Sequence, residues 1–124
     1  MAAVLRYNLN VQAENGLFKR DIQAPSRSVD LNAQGHAAGI MEVTTADEGV
    51  AMDIGDIETP GFLYMRNLDE TNFVFYGPDA AGALVPFGWM NPGEEAWLRL
   101  YPGATLRIAA DTTTVLVQYE VFSD

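Results

Sequence analysis

The chain has 124 residues, a formal net charge of −10, no cysteine and one histidine. That length fits one domain, which buries roughly two-thirds of its unfolded surface and needs no disulfide or metal staple. The missing cysteines exclude a disulfide scaffold, a thiolate metal site and a cysteine nucleophile. Seventeen acids against seven bases make a poor partner for nucleic acid or for an anionic membrane surface.

Hydrophobic residues make up 48% and charged residues 19% of the chain, the proportions of a packed globule. No run approaches about eighteen apolar residues, so no membrane-spanning helix is expected. The start MAAVLRYNLN has no basic segment followed by a long apolar run, so no signal peptide is expected. These features predict an acidic, soluble, single-domain protein over 1–124, made in a reducing compartment. The charge divides evenly at the midpoint. Residues 1–62 carry nine acids and four bases, residues 63–124 eight acids and three bases, −5 each. Neither half is therefore expected to hold a basic face.

Period two dominates from the start. Ala3, Leu5, Tyr7, Leu9 and Val11 alternate with Arg6, Asn8 and Asn10, the pattern of a half-buried strand. Glu14-Asn15-Gly16 is a hairpin signal, followed by a second strand over 17–24 that Pro25 and Ser26 close. Ser28–Asn32 is a weaker strand, ended by Asn32-Ala33-Gln34-Gly35. Residues 36–45 and 49–54 read as two strands around the turn Asp47-Glu48-Gly49. Gly55–Gly61 is a loop. Phe62–Arg66 reads as a strand buried on both faces, and Phe73–Tyr76 as one ended by Gly77-Pro78.

Leu84–Met90 is interrupted by Pro86, which predicts an edge or bulged strand. Asn91-Pro92-Gly93 turns the chain. Glu95–Leu100 then sets Ala96, Leu98 and Leu100 opposite Trp97 and Arg99. After Tyr101-Pro102-Gly103, strands over 105–109 and 113–122 finish the chain, with Val115, Val117, Tyr119 and Val121 on one face. Turns thus recur about every 8–12 residues, and no segment carries a sustained helical stripe. The expectation is an all-β antiparallel two-sheet sandwich, jelly-roll-like, of about ten short strands.

Candidate chemistry is sparse. Glu42, Asp47, Glu48, Asp53, Asp56 and Glu58 lie within seventeen residues. They read either as a calcium site or as solvated turns and outward faces, and the ligand spacing of a calcium loop is missing. His36 reads either as a base paired with Asp30 or Glu42, or as a strand-start histidine without chemistry. No G-x-S-x-G elbow surrounds Ser26, Ser28 or Ser123. Gly61, Gly77, Gly82, Gly88, Gly93 and Gly103 read as turn punctuation, with no phosphate-binding loop. No catalytic residue, metal ligand or cofactor site is assigned, and no enzyme is expected.

The aromatics stand out. Tyr64, Phe73, Phe75, Tyr76, Phe87, Trp89, Trp97 and Tyr101 fall within 38 positions. They read as sandwich core, as a protein interface, or as a platform on which sugars stack, with Trp89, Trp97 and Tyr101 as its rings. The candidate interface residues are Trp97, Arg99, Trp89 and Tyr101, with Leu5 and Tyr7 on the N-terminal segment. Residues 1–12 read either as the first strand of the sandwich or as an arm exchanged with a neighbour.

One set of motifs has a familiar order. It runs GVAMDIGD over 49–56, TPGFLYMRNLD over 59–69 and TNFV over 71–74. Pro86-Phe87, Asn91-Pro92-Gly93-Glu94, Trp97-Leu98-Arg99-Leu100, Leu106-x-Ile108-Ala109-Ala110 and Val115-x-Val117-x-Tyr119 follow. Residues 40–122 thereby resemble small bacteriophage virion proteins, and the matched positions are mostly turn and core residues. The resemblance implies a structural component of a tailed-phage particle, first of all a capsid cement or decoration protein. It implies a homo-oligomer, a trimer before other stoichiometries, bound to the major capsid protein on the outer capsid surface. Assembly would take place in the bacterial cytoplasm. A tail or fibre accessory protein bound to tail proteins, and a carbohydrate-binding module, are the alternatives. No nucleic acid or membrane partner is expected.

Overall fold

The computed structural model describes residues 3–31, 35–55, 57–101 and 103–124. Met1, Ala2, the turn residues Asn32-Ala33-Gln34, Asp56 and Pro102 lie outside the described residues. Every regular element among the described residues is a strand, as the turn spacing predicts. There are thirteen of them against about ten expected, because two of the eleven stretches read as strands are each divided. The chain splits into two compact units, Met1–Gln34 and Gly35–Asp124.

The first unit is a two-stranded ribbon in two stretches. β1 (Ala3–Tyr7) pairs antiparallel with β4 (Arg27–Leu31), and β2 (Asn10–Asn15) with β3 (Phe18–Gln23). The predicted Asn-Gly hairpin is its tip. Gly16 there takes φ +58°, a left-handed conformation that costs glycine little. The predicted strand over 3–11 is interrupted between Tyr7 and Asn10. At that break Asn8 and Leu9 face three residues, Ala24, Pro25 and Ser26. Pairing continues across it, since the Ala24 amide donates to the Leu9 carbonyl at 3.1 Å.

The extra residue is a β-bulge, and the sequence requires it. Leu5, Tyr7, Leu9 and Val11 share one parity, but their partners change parity from Val29 to Ala24 and Ile22. A ladder without a bulge would send one group of partners to the wrong face. The bulge absorbs the mismatch and keeps these apolar side chains together.

The second unit holds β5 (His36–Val43), β6 (Val50–Ala51), β7 (Pro60–Asn67), β8 (Val74–Ala80) and β9 (Ala83–Leu84). β10 (Gly88–Met90), β11 (Glu95–Arg99), β12 (Leu106–Ala110) and β13 (Val115–Ser123) follow. They form two antiparallel sheets, β11-β7-β13-β5 and β10-β8-β12-β6, with β9 added to β8. The chain passes back and forth between sheets, and each sheet's last strand returns beside its first: β13 beside β5, β12 beside β6. That order is a jelly roll. Leu63, Met65, Val117 and Val121 of one sheet meet Val74, Met90, Ile108 and Ala110 of the other in one buried core. Each of these side chains larger than alanine stabilises the fold by roughly 1.5–3 kcal/mol. β13 buries alternate residues from Val115 to Val121, as its pattern predicts.

Several boundaries differ from expectation. The strand read over 49–54 forms only Val50–Ala51, and β7 begins at Pro60, inside the loop read over Gly55–Gly61. Gly61 and Gly88, read as turn residues, lie within β7 and β10. Gly77-Pro78 does not end a strand; β8 runs through both to Ala80. A side chain at Gly77 would overlap the Val85 carbonyl, so this glycine admits a neighbouring backbone rather than a turn. The predicted strand over 84–90 becomes β9 and β10 flanking Val85–Phe87; Pro86 lies in that link, outside both strands, and β10 is a sheet edge.

The units also differ in charge. Residues 1–34 hold four bases and three acids, +1, whereas residues 35–124 hold three bases and fourteen acids, −11. The even split at the midpoint hides this, because the structural boundary lies far from the midpoint.

Candidate functional site

The sandwich has two outer sheet faces, and each carries aromatic residues. Alternation along β11 points Ala96, Leu98 and Leu100 at the core and leaves Trp97 and Arg99 outside. Register then sets their neighbours. Arg99 pairs with Phe62 on β7, Phe62 with Phe122 on β13, and Phe122 with His36 on β5.

The side chains on that row touch one another. Trp97 stacks on Phe62 with centroids 5.2 Å apart, and the Arg99 guanidinium sits 4.5 Å over the same ring. Phe122 lies 6.5 Å from Trp97 and stacks on His36 at 4.9 Å. Arg99 also donates to Asp124 at 2.7 Å. Arg99 and the rings therefore pack against one another along the row. The neighbouring Tyr64 pairs with Trp97 in register. Its phenol is pushed up from the ordinary tyrosine value by burial first and by the Glu95 carboxylate second.

The opposite outer face carries a second cluster. Trp89 of β10 pairs with Phe75 of β8 and tilts against Phe73 at 6.1 Å. Trp89 is 67% exposed. Between the sheets at one edge lies an apolar groove of about 170 Å³ lined by Tyr76, Phe87, Leu98 and Tyr101. Phe87 and Tyr101 are each 81% exposed. A groove of that size holds a side chain rather than a typical small-molecule ligand.

The structure thus joins Trp97 with Arg99, but places Trp89 on the other sheet and Tyr101 at the groove. Leu5 and Tyr7 lie on β1 of the N-terminal unit, half-buried. Phe62, Phe122 and His36 complete the Trp97 row and are not among the interface candidates from sequence, where the only chemistry weighed for His36 is that of a base. Their signal is the strand register, which pattern alone does not supply.

His36 pairs with Glu120 at 3.3 Å. Glu42 lies six residues along the same strand, about 20 Å away. Asp53 accepts from the Gly55 amide at 2.9 Å in its own turn, as a turn aspartate does. No group of three or more histidine or carboxylate side chains fit for a metal occurs among the described residues. The geometry offers flat, partly exposed aromatic faces and one shallow groove, which suit contact with another surface. No protein-family profile, curated protein or solved structure matches this chain.

Proposed function

We propose that the chain is a structural component of a tailed-phage virion, a decoration protein that binds the outer capsid surface and stabilises the head. The observation that carries this reading is the outward display of Trp89, Phe87 and Tyr101 on a jelly-roll sandwich. Large exposed aromatic residues anchor protein interfaces. The resemblance of residues 40–122 to small phage virion proteins supplies the particle. Jelly rolls also build viral shells and lectins, so the fold is compatible with the reading without deciding it.

The partner is then the major capsid protein, and the protein acts as a homo-oligomer, a trimer before other stoichiometries. Purified protein added to expanded shells that lack it is expected to bind in many copies per shell and raise their resistance to heat. Shells that bind none would overturn the reading. A tail accessory role is the second version, and cryo-EM of the particle separates the two by copy number and position. A carbohydrate-binding module is favoured only by the exposed Trp89 ring; a glycan array without hits removes it.

A further inference from the structure

We propose that the apolar face of the N-terminal ribbon seats on the acidic sandwich of a second copy of this chain, over its β5–β13 outer face. The ribbon's first face carries Leu5, Tyr7, Leu9, Val11, Ala24, Ile22 and Val29. Its reverse carries Arg6, Gln12, Glu14, Lys19, Asp21 and Asp30. Leu9, Val11 and Ile22 are each about half exposed. A two-stranded ribbon is marginal on its own in water, and a stripe of this kind gains stability only when covered.

Charge selects the cover. Register places Arg20 opposite Ala13 and Arg27 opposite Tyr7, so both arginines lie on the apolar face. Glu14, Asp21 and Asp30, the ribbon's only acids, lie on the reverse. Arg20 and Arg27 form no ion pair among the described residues. A ribbon packed on another ribbon would oppose arginine to arginine. The sandwich offers the complementary sign, with fourteen acids against three bases.

The outer face of β5 and β13 combines acid with exposed apolar area, with Arg66 of β7 beside it, paired with Gln118. Ile40 on β5 is 63% exposed, and Leu116 on β13 is nearly half exposed. Glu42 pairs with Leu116 and Glu120 with Ala38 in register, so two carboxylates flank the apolar pair on the same outer face. β5 is the sheet edge, so nothing in its own sheet continues past it. The match is apolar on apolar with arginine on carboxylate, and the two surfaces differ. Such a contact is head-to-tail and closes into a ring where the rotation permits.

The test uses full-length variants and mass by light scattering. Wild type is expected to self-associate. Arg20→Glu with Arg27→Glu is expected to weaken self-association by more than about tenfold, as is Glu42→Arg with Glu120→Arg. Mixing the two variants is expected to restore a one-to-one complex, because each supplies the surface the other lacks. A monomeric wild type, an oligomer indifferent to both variants, or cross-links joining ribbon to ribbon would each overturn the proposal. Thermal melts of each variant confirm that the sandwich is folded. The measurement involves no capsid shell, so its failure is distinct from a failure of the decoration reading.

Discussion

The carboxamide of Asn67 joins the two sheets through Met90: its Nδ2 donates to the Met90 carbonyl at 3.0 Å. Asn67 closes β7 in one sheet and Met90 closes β10 in the other. The same nitrogen donates to the Asn72 carbonyl at 2.9 Å, and Oδ1 accepts the Asp69 amide at 2.9 Å. Asn67 has no exposed surface, and each of these bonds replaces one to water.

Asn67→Ala is therefore expected to leave two carbonyls and one amide without partners. The loss is about 2–4 kcal/mol of unfolding free energy, measured by urea denaturation. Asn67→Asp is expected to cost more, because a carboxylate there would face two carbonyls. A change below about 0.5 kcal/mol for alanine would contradict this account.

Asp69 sets a pH dependence. Its carboxylate accepts the amides of Thr71 at 3.0 Å and Asn72 at 2.6 Å. The Thr71 amide first, then that of Asn72, holds its pKa below the usual aspartate value. A lowered folded-state pKa stabilises above the unfolded value, and that stability is lost as pH falls through the folded one. NMR titration is expected to place the Asp69 carboxyl below the usual aspartate value. Asp69→Asn is expected to flatten the acid limb of the stability profile.

Gly77→Ala tests the close backbone approach. The added methyl group would meet the Val85 carbonyl, while the Phe87 amide donates to the Tyr76 carbonyl at 2.8 Å beside it. A loss of about 1–3 kcal/mol is expected. Faster amide exchange at Phe87 than in wild type would show that Val85–Phe87 has been pushed off β8.

Arg107 ties three segments together. Its Nε donates to Asp79 of β8, and Nη1 donates to the carbonyls of Glu48 and Gly49 at 3.1 and 3.2 Å. Lysine lacks that fork. Arg107→Lys is expected to lower stability by about 1–2 kcal/mol, with chemical-shift changes reaching the turn at Glu48. A neutral effect would mean the charge alone suffices.

The two tryptophans should separate stability from binding. Trp97→Ala removes the ring stacked on Phe62 and is expected to cost about 1–3 kcal/mol. Trp89→Ala, on an exposed ring, is expected to stay within about 0.5 kcal/mol. Under the decoration reading it weakens shell binding. Unchanged binding would remove Trp89 from the interface.

Much of the sandwich was legible because its core is alternating. β13 buries Val115, Val117, Tyr119 and Val121 as its pattern predicts, and Trp97 and Arg99 share the outer face read from β11. What failed was what one strand cannot report. Gly77-Pro78 looks like a strand end, and only the Val85 backbone beside it explains why the strand continues. Asn67 follows the strand read over Phe62–Arg66, and its bond to Met90 depends on a strand from the other sheet. The partition into +1 and −11 was hidden because Arg6, Lys19, Arg20 and Arg27 all precede a boundary that alternation does not mark.

The three-against-two stretch of the ribbon marks where its length can change. Deleting Pro25 equalises the two legs. Leu5 still opposes Val29, and the ribbon merely loses a bend. Deleting Asn10 makes Leu9 and Val11 sequence neighbours, which sends them to opposite sides. Single-residue deletion is thus silent at Pro25 and disruptive at Asn10, the first residue after the break on the other leg. The bend of the ribbon can change while the surface it presents stays the same.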